Sequence, residues 1–441
     1  MVIDMLHFGT DGVRGRVGVD LTESDVASLG RTVSEQWPGH QIVIGHDGRE
    51  SGDVFSAAFA AGAASAGGAV TFAGLASTPA LAYASQRRNQ VAVAVTASHN
   101  PWPDNGIKVF APGGRKLTDD EQQHIETRWH SQPVPASSNR AFEALTIDPS
   151  VVDDYIRRVT GDLEVANFAG REVVVDCANG ATSRIAAPVM RALGLQADVR
   201  NATPDGRNIN DGCGAVHPEA LGAVCAERGV VGVAFDGDGD RLIAIAENGT
   251  VVDGDRIIAL LALDLHERGL LARNVVVVTT MTNLGFHHAM QRNGITVVTT
   301  EVGDRAVLAA MEDGGFTLGG EQSGHIINMR YATTGDGMLT AVLLLDLLRR
   351  KNVRLTDLAA DVLQRVPQLL RNVRVADKPL DVEALLGDDL IRERANLGDR
   401  GRIVVRTSGT ESVVRIMVEA TDIDEAHAVA DRLERVLATR T

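Results

Sequence analysis

Short β-rich apolar runs alternate with Ala-rich helical stretches along this chain, and the alternation repeats three times. The runs at 41–47, 172–177 and 275–280 each lead through a small polar turn into a helical pattern, at 54–66, 184–193 and 286–292. A second strand follows each helix, at 70–72, 196–199 and 295–298. A later strand then closes each unit, at 91–95, 232–235 and 316–318, and runs into a polar loop, at 96–101, 236–241 and 320–325. Strands alternating with helices predict α/β layers with mixed, largely parallel sheets. Ligands bind outside the carboxyl ends of such strands, and all three loops sit there. The tail differs: strands are expected at 373–376, 402–405 and 413–418, with an amphipathic helix at 425–437, as in a smaller α+β domain. We divide the chain into domains at 1–152, 153–254, 255–367 and 368–441.

Composition narrows the partners. With 43 Lys plus Arg against 58 Asp plus Glu, the net charge of −15 repels polyphosphate backbones, so no nucleic acid is expected. A few local arginines and lysines can still reverse the field inside a cleft, so a small anionic substrate stays open. Charge interrupts every apolar stretch well before the ~20 residues a membrane span needs. The first residues show no basic segment followed by an apolar run, and Cys177, Cys213 and Cys225 have no zinc spacing. A cytoplasmic location follows as the expectation. The 45 glycines suit many tight turns.

Asp236-Gly237-Asp238-Gly239-Asp240 sets carboxylates at alternating positions directly after a strand, a donor set for magnesium or calcium. An EF-hand would also place acids at Asp236, Asp238, Asp240 and Glu247. Arg241, however, occupies the position where that loop needs glycine, and a β-rich run precedes it where a helix is required. Ser98 lies in the loop after a buried-type strand. A hydrolase nucleophile is excluded by its flanks, and His99, as the immediate neighbour, is judged poorly placed as its base. A loop serine beside a metal site can carry a phosphoryl group, and Lys108, in Asn105-Gly106-Ile107-Lys108, could assist the transfer. Glu321 and Ser323 offer a carboxylate and a hydroxyl to neighbouring sugar hydroxyls. Arg406-Thr407-Ser408-Gly409-Thr410 is anion-binding chemistry without a Walker ending, and Arg14, among glycines in 8–15, could reach an anionic centre.

These motifs, in this order over essentially the whole chain, resemble the α-D-phosphohexomutase family. The resemblance implies four domains, three of one α/β fold and a smaller fourth, around a central cleft. It implies a phosphoserine at Ser98, required for activity, and one Mg²⁺ held by Asp236, Asp238, Asp240 and the Ser98 phosphoryl. Glu321 and Ser323 would grip sugar hydroxyls, and Arg406, Ser408, Gly409 and Thr410 the phosphate that is not reacting. Arg14, Lys108, Arg241 and His325 would surround the reacting centre. Gln322, the segment 208–219 and Thr282-Asn283-Leu284-Gly285 resemble the glucosamine branch, so the expected partner is a small hexosamine phosphate. The expected reaction interconverts glucosamine-6-phosphate and glucosamine-1-phosphate, feeding amino-sugar and peptidoglycan precursor synthesis. Mannose- or glucose-phosphate conversion is the alternative, and an idle sugar-phosphate-binding scaffold a third. A homodimer is carried as a candidate assembly. Ser412 stands where the family has proline, which frees one backbone dihedral.

Overall fold

The computed structural model describes residues 6–9, 12–131, 146–163, 165–375, 381–407 and 413–440. Three of its four sheets share one plan. A central strand lies between two parallel neighbours: Ile42–His46 between Val70–Leu75 and Val91–Val95, Glu172–Asp176 between Gln196–Arg200 and Gly232–Phe235, and Val275–Thr279 between Thr296–Thr300 and Leu318–Gly320. In each sheet the last of these strands then turns back on itself. Asp104–Ala111 pairs antiparallel with Val91–Val95, Leu242–Ile245 with Gly232–Phe235, and Ile326–Asn328 with Leu318–Gly320. The three loops singled out in the sequence are therefore hairpin turns, each at the carboxyl end of a parallel strand. The fourth sheet is antiparallel, in the order Gln368–Arg374, Val413–Ala420, Gly401–Thr407, and is covered by Val382–Leu397 and Ile423–Arg440.

Burial explains the sharp strand signals. Every residue of Val91–Val95 and Val275–Thr279 is buried, and each buried valine is worth roughly 1.5–3 kcal/mol of apolar transfer. Two expectations need correction. The strand expected at 316–318 begins at Leu318: the helix Asp304–Gly314 ends on Gly315 at φ 62°, and Phe316 N–H folds back onto Met311 O at 2.9 Å. The strand expected at 373–376 is Gln368–Arg374, whose alternating half-exposed side chains blur an apolar run. The helix Val382–Leu397 was not foreseen at all, because Gly387 at φ 50° breaks its helical course.

Polar seams join the units. Thr78 N–H donates to Asp238 O at 3.0 Å, so the helix Thr78–Arg88, capped by Ser77, starts against the second unit's metal-type loop. Tyr155 Oη donates to Asp336 at 2.6 Å, and Arg305 Nη1 to Gln122 Oε1 at 2.7 Å. Between the third and fourth units the fully buried Glu419 accepts from Asn283 Nδ2 at 2.8 Å and Arg402 Nε at 2.6 Å. Burial raises the Glu419 carboxyl despite Arg402 beside it.

Asp255, on the helix Gly254–Glu267, gives a pH-dependent test at this junction. Burial, then Asp253 nearby, push it up to about 7, while Asn283 N–H donates to its Oδ2 at 2.9 Å. A carboxyl raised in the folded state makes the fold bind extra protons. Its contribution is intact below the unfolded value near ~3.9 and is lost as pH climbs to about 7. Above that pH the cost is on the order of 4 kcal/mol at most. Asp255→Asn keeps an acceptor for Asn283 and cannot ionise. Its denaturation midpoint should exceed that of the parent at pH 8, with the gain cut to about a third at pH 5. Equal gains at both pH values would show that Asp255 is not the titrating group.

Candidate active site

The first two hairpin turns meet face to face. Ser98 Oγ donates to Asp236 Oδ2 at 2.6 Å across 138 residues of chain, and both residues are fully buried. Ser98 is held at φ 52°, a left-handed conformation that costs a non-glycine residue about 1–3 kcal/mol. Asp236, Asp238 and Asp240 bring one carboxylate oxygen each to within 4.8 Å of one another. Burial, then Asp240 and Asp238, drive the Asp236 carboxyl well above the usual carboxylate range. Lys108 Nζ lies 2.8 Å from Asp238 Oδ2 and 2.9 Å from Asp240 Oδ2, itself buried, and supplies one positive charge to the cluster. Asp240 stays well below its usual value although burial opposes this, because Lys108 and then His325 face it.

A divalent cation suits this cluster on its own geometry. Asp238 Oδ1 and Asp240 Oδ1 are buried with no hydrogen-bond partner among the described residues, which costs free energy unless something accepts their lone pairs. Three hard oxygens on one glycine-rich turn are the donor type that magnesium or calcium takes. Asp236, Asp238 and Asp240 are thus the residues that could hold it.

The third hairpin turn closes onto the second. Arg241 and His325 form an isolated antiparallel bridge, and Leu242 N–H donates to Gly324 O at 3.0 Å. His325 is buried, with Nδ1 3.5 Å from Asp240 Oδ2 and Nε2 accepting from Gly335 N–H at 3.1 Å, so the ring carries its proton on Nδ1. Arg241 Nε is 3.9 Å from both Asp236 Oδ2 and Asp240 Oδ1. Glu321 Oε1 accepts from Gly303 N–H at 3.2 Å, which fixes the carboxylate at the mouth of the turn. Ser323 Oγ and Gln322 Nε2 are buried without a hydrogen-bond partner among the described residues. Arg14 stands on the short strand Val13–Arg16 opposite Gly106, and its charge is felt at His99.

Gly324 is where the two turns touch. Its φ is +92°, and a Cβ there would lie 2.2 Å from Leu242 O. Gly324→Ala should cost about 2–4 kcal/mol of stability from strain and overlap together. It should also lower turnover by parting His325 from Asp240, which thermal unfolding and an activity assay on the folded fraction would read separately. Unchanged stability would mean that the contact is not made.

His99 lies closer to Ser98 than adjacency in sequence suggests, but the serine's one proton goes to Asp236, so the contact gives His99 no role as its base. Its Nδ1 sits 3.2 Å from Ser98 Oγ, within hydrogen-bond reach. Burial, then Arg241 and Arg14, push it down to about 4, so the ring is neutral near pH 7. Arg406 lies apart from the triad, on Gly401–Thr407 and directly opposite Arg415. Burial and Arg415 lower its guanidinium, while Glu301 opposes them. Two guanidiniums on one face of the sheet concentrate positive charge, which suits an anion. Ser408, Gly409, Thr410 and Ser412 lie outside the described residues.

Three contributors escaped the sequence reading. Thr78 Oγ1 donates to Asp238 Oδ2 at 2.6 Å, Asn210 Nδ2 donates to Ser98 O at 2.9 Å, and Arg49 Nη2 donates to Ser98 O at 3.0 Å. Only Asn210 had a signal, in the 208–219 segment, and that segment carried no role.

Family models match the chain from end to end. They are Phosphoglucomutase/phosphomannomutase alpha/beta/alpha domain I at residues 5–133, domain II at 153–249, domain III at 253–366, and the C-terminal domain at 370–436. A phosphoglucosamine mutase from Thermobifida fusca is 46% identical over 440 residues, covering 98% of this chain and 97% of that protein. One from Pelotomaculum thermopropionicum is 43% identical over 439 residues, covering 98% of each. Among solved structures, a phosphoglucomutase/phosphomannomutase family protein from Burkholderia thailandensis superposes with a TM-score of 0.80 at 24% identity, covering 99% of this chain and 97% of that one. An Aspergillus fumigatus N-acetylphosphoglucosamine mutase, solved with GlcNAc-6P and magnesium, gives 0.69 at 18% identity, covering 99% and 96%. The likeness to these two structures is one of fold.

Proposed function

This chain belongs to the phosphoglucomutase/phosphomannomutase family, and from that premise we propose that it interconverts glucosamine-6-phosphate and glucosamine-1-phosphate through a phosphorylated Ser98. The observation that carries the chemistry is Ser98 Oγ at 2.6 Å from Asp236 within a buried carboxylate triad. The observation that favours glucosamine is the 46% identity to a phosphoglucosamine mutase over nearly the full length of both chains.

In this reading the Ser98 phosphoryl passes to the free hydroxyl of the sugar phosphate. The phosphorus–oxygen bond to Ser98 breaks and one to the sugar forms, the sugar hydroxyl giving up a proton and the released Ser98 Oγ taking one up, and a bisphosphate results. That intermediate turns around in the cleft and returns its other phosphoryl to Ser98. Magnesium, held by Asp236, Asp238, Asp240 and the phosphoryl of Ser98, would neutralise charge in each transfer. The rest falls to the protein's own groups. Lys108 offsets Asp238 and Asp240, Arg241 and Arg14 add positive potential beside His99, and His325 holds its proton against Asp240. Glu321 and Ser323 take sugar hydroxyls, while Arg406 with Ser408, Gly409 and Thr410 holds the idle phosphate. Positioning by these contacts supplies most of the acceleration left after charge neutralisation. No helix among the described residues is long and apolar enough to cross a membrane.

The test is kcat/KM of the purified, magnesium-loaded protein on glucosamine-6-phosphate, glucose-1-phosphate and mannose-1-phosphate. A preference for glucosamine near ~100-fold, about 2.7 kcal/mol, is the expected result. A preference for glucose or mannose would keep the chemistry and overturn the substrate. No turnover of any sugar would leave an idle scaffold. Sedimentation of the same sample tests the homodimer.

A further inference from the structure

Arg49 never meets the triad, yet every donor of its side chain is engaged with the loop that carries Ser98 or with that loop's anchor. Nη2 donates to Ser98 O at 3.0 Å and Asn100 O at 2.8 Å. Nη1 donates to Pro101 O at 2.6 Å and Asp104 O at 3.0 Å. Nε donates to Asp47 Oδ2 at 2.9 Å, in an ion pair whose two side chains are both 0% exposed. A guanidinium has five N–H donors, and all five are used.

Asp47 extends the same construction. Its Oδ2 also accepts from Thr96 Oγ1 at 2.6 Å, and Thr96 Oγ1 accepts in turn from Ser98 N–H at 2.8 Å. The Ser98 peptide is thus gripped at both ends, its N–H by Thr96 and its carbonyl by Arg49. Asn210, from the second unit, reinforces the carbonyl side by donating to Ser98 O at 2.9 Å and Asn100 O at 3.3 Å. These contacts surround a residue whose φ of 52° is disfavoured for any side chain. A loop released from them would relax toward negative φ, and relaxation about that bond swings Oγ away from Asp236.

We propose that Arg49 is a positioning residue for phosphoryl transfer: it locks the loop between Ser98 and Asp104 so that Ser98 stays in its strained conformation with Oγ on the carboxylate cluster. Arg49 touches neither sugar nor phosphate and acts only through Ser98. A lysine cannot replace it. Its three donors radiate from one nitrogen, whereas the carbonyls lie along the two edges of a planar fork. The proposal rests on the phosphoryl-transfer reading of Ser98, and it adds a structural claim that can be read without turnover.

The experiment compares the full-length parent with Arg49→Lys by steady-state kinetics on glucosamine-6-phosphate and by hydrogen exchange of the backbone amides in 98–104. Displacement of a reacting atom by about an ångström costs on the order of 100-fold. Arg49→Lys should therefore lower kcat about 100-fold per folded enzyme, leave KM within about threefold, and speed exchange in 98–104 at least about tenfold. A merely structural role would lower the folded fraction and leave kcat of that fraction intact. A folded variant with parental kcat, a loss confined to KM, or unchanged exchange would each overturn the proposal. If Arg49→Lys does not fold, Asn210→Ala leaves the Asp47–Arg49 pair intact and removes one hold on the Ser98 carbonyl. It should move kcat and exchange in the same directions, and parental values for both would overturn the proposal. Should the parent itself turn over no hexose phosphate, the exchange arm still reads the lock, so failure of the enzyme reading and failure of this one remain distinguishable.

Discussion

Ser98→Ala should abolish mutase turnover, by on the order of 10⁴- to 10⁶-fold, while leaving the protein folded. In the proposed mechanism Ser98 Oγ carries the phosphoryl, and the magnitude follows from removing that atom. Loss of a covalent nucleophile leaves only what binding and fixed charges supply, and comparable deletions in other enzymes cost about 10⁶-fold. Folding should survive because the alanine methyl fits the space of the serine side chain. The Ser98 backbone also keeps its hydrogen bonds from Arg49 and Asn210 and to Thr96. One hydrogen bond to Asp236 is lost. That loss falls on a carboxyl already held well above its usual range by burial and its neighbours, so protonation can absorb it. Radiolabel from a phosphorylated sugar should enter the parent and not the variant. Turnover that persists in Ser98→Ala would remove the phosphoserine from the mechanism.

Asp238→Asn is the second large effect, and its two parts have opposite signs. Asp238 holds Thr78 and Lys108 on one oxygen and leaves the other buried without a hydrogen-bond partner among the described residues. Replacing it by asparagine removes a ligand charge, so the magnesium concentration giving half-maximal turnover should rise at least about 100-fold. Without metal the variant should be no less stable than the parent, because one negative charge leaves a crowded buried cluster and Lys108 keeps Asp240. The parent gains roughly 2.7 kcal/mol when magnesium stands at 100 times its dissociation constant, and the variant should lose that gain. Melting curves with magnesium and with chelator, on both proteins, separate the two parts. A variant with the parent's metal response would exclude Asp238 from the site.

The sequence disclosed the site wherever the chemistry lay in one stretch of chain. Val91–Val95 and Gly232–Phe235 are wholly buried, so their apolar runs stood out, and each pointed straight at its loop. Asp236, Asp238 and Asp240 declared themselves through alternation with glycine. Contacts made only on folding stayed hidden. Thr78 reaches Asp238 across 160 residues and Asn210 reaches Ser98 across 112, and each reads locally as an ordinary helix start or turn. The closeness of His99 Nδ1 to Ser98 Oγ was also hidden, because adjacency implies a remote side chain only for ordinary backbone, and Ser98 at φ 52° is not ordinary. The return strand Asp104–Ala111 was also missed. It begins with polar Asp104 and Asn105, and it carries Lys108 inward toward charges that belong to the next unit.

The three hairpin turns bear on how the protein is born. A chain leaves the ribosome from its amino end, and units of this size fold as they emerge. Ser98 is therefore in place while Asp236, its partner across 138 residues, is still to be made. The turn bearing His325, which abuts Asp240, comes later again. A nascent chain halted after Ser98 and before Asn210 would hold the serine loop without its Asn210 contacts, the carboxylates or the sugar grip. It could neither bind the metal nor squander phosphoryl groups on water. The anion loop around Arg406 is delivered last of all, so in this reading no partial product carries the whole site.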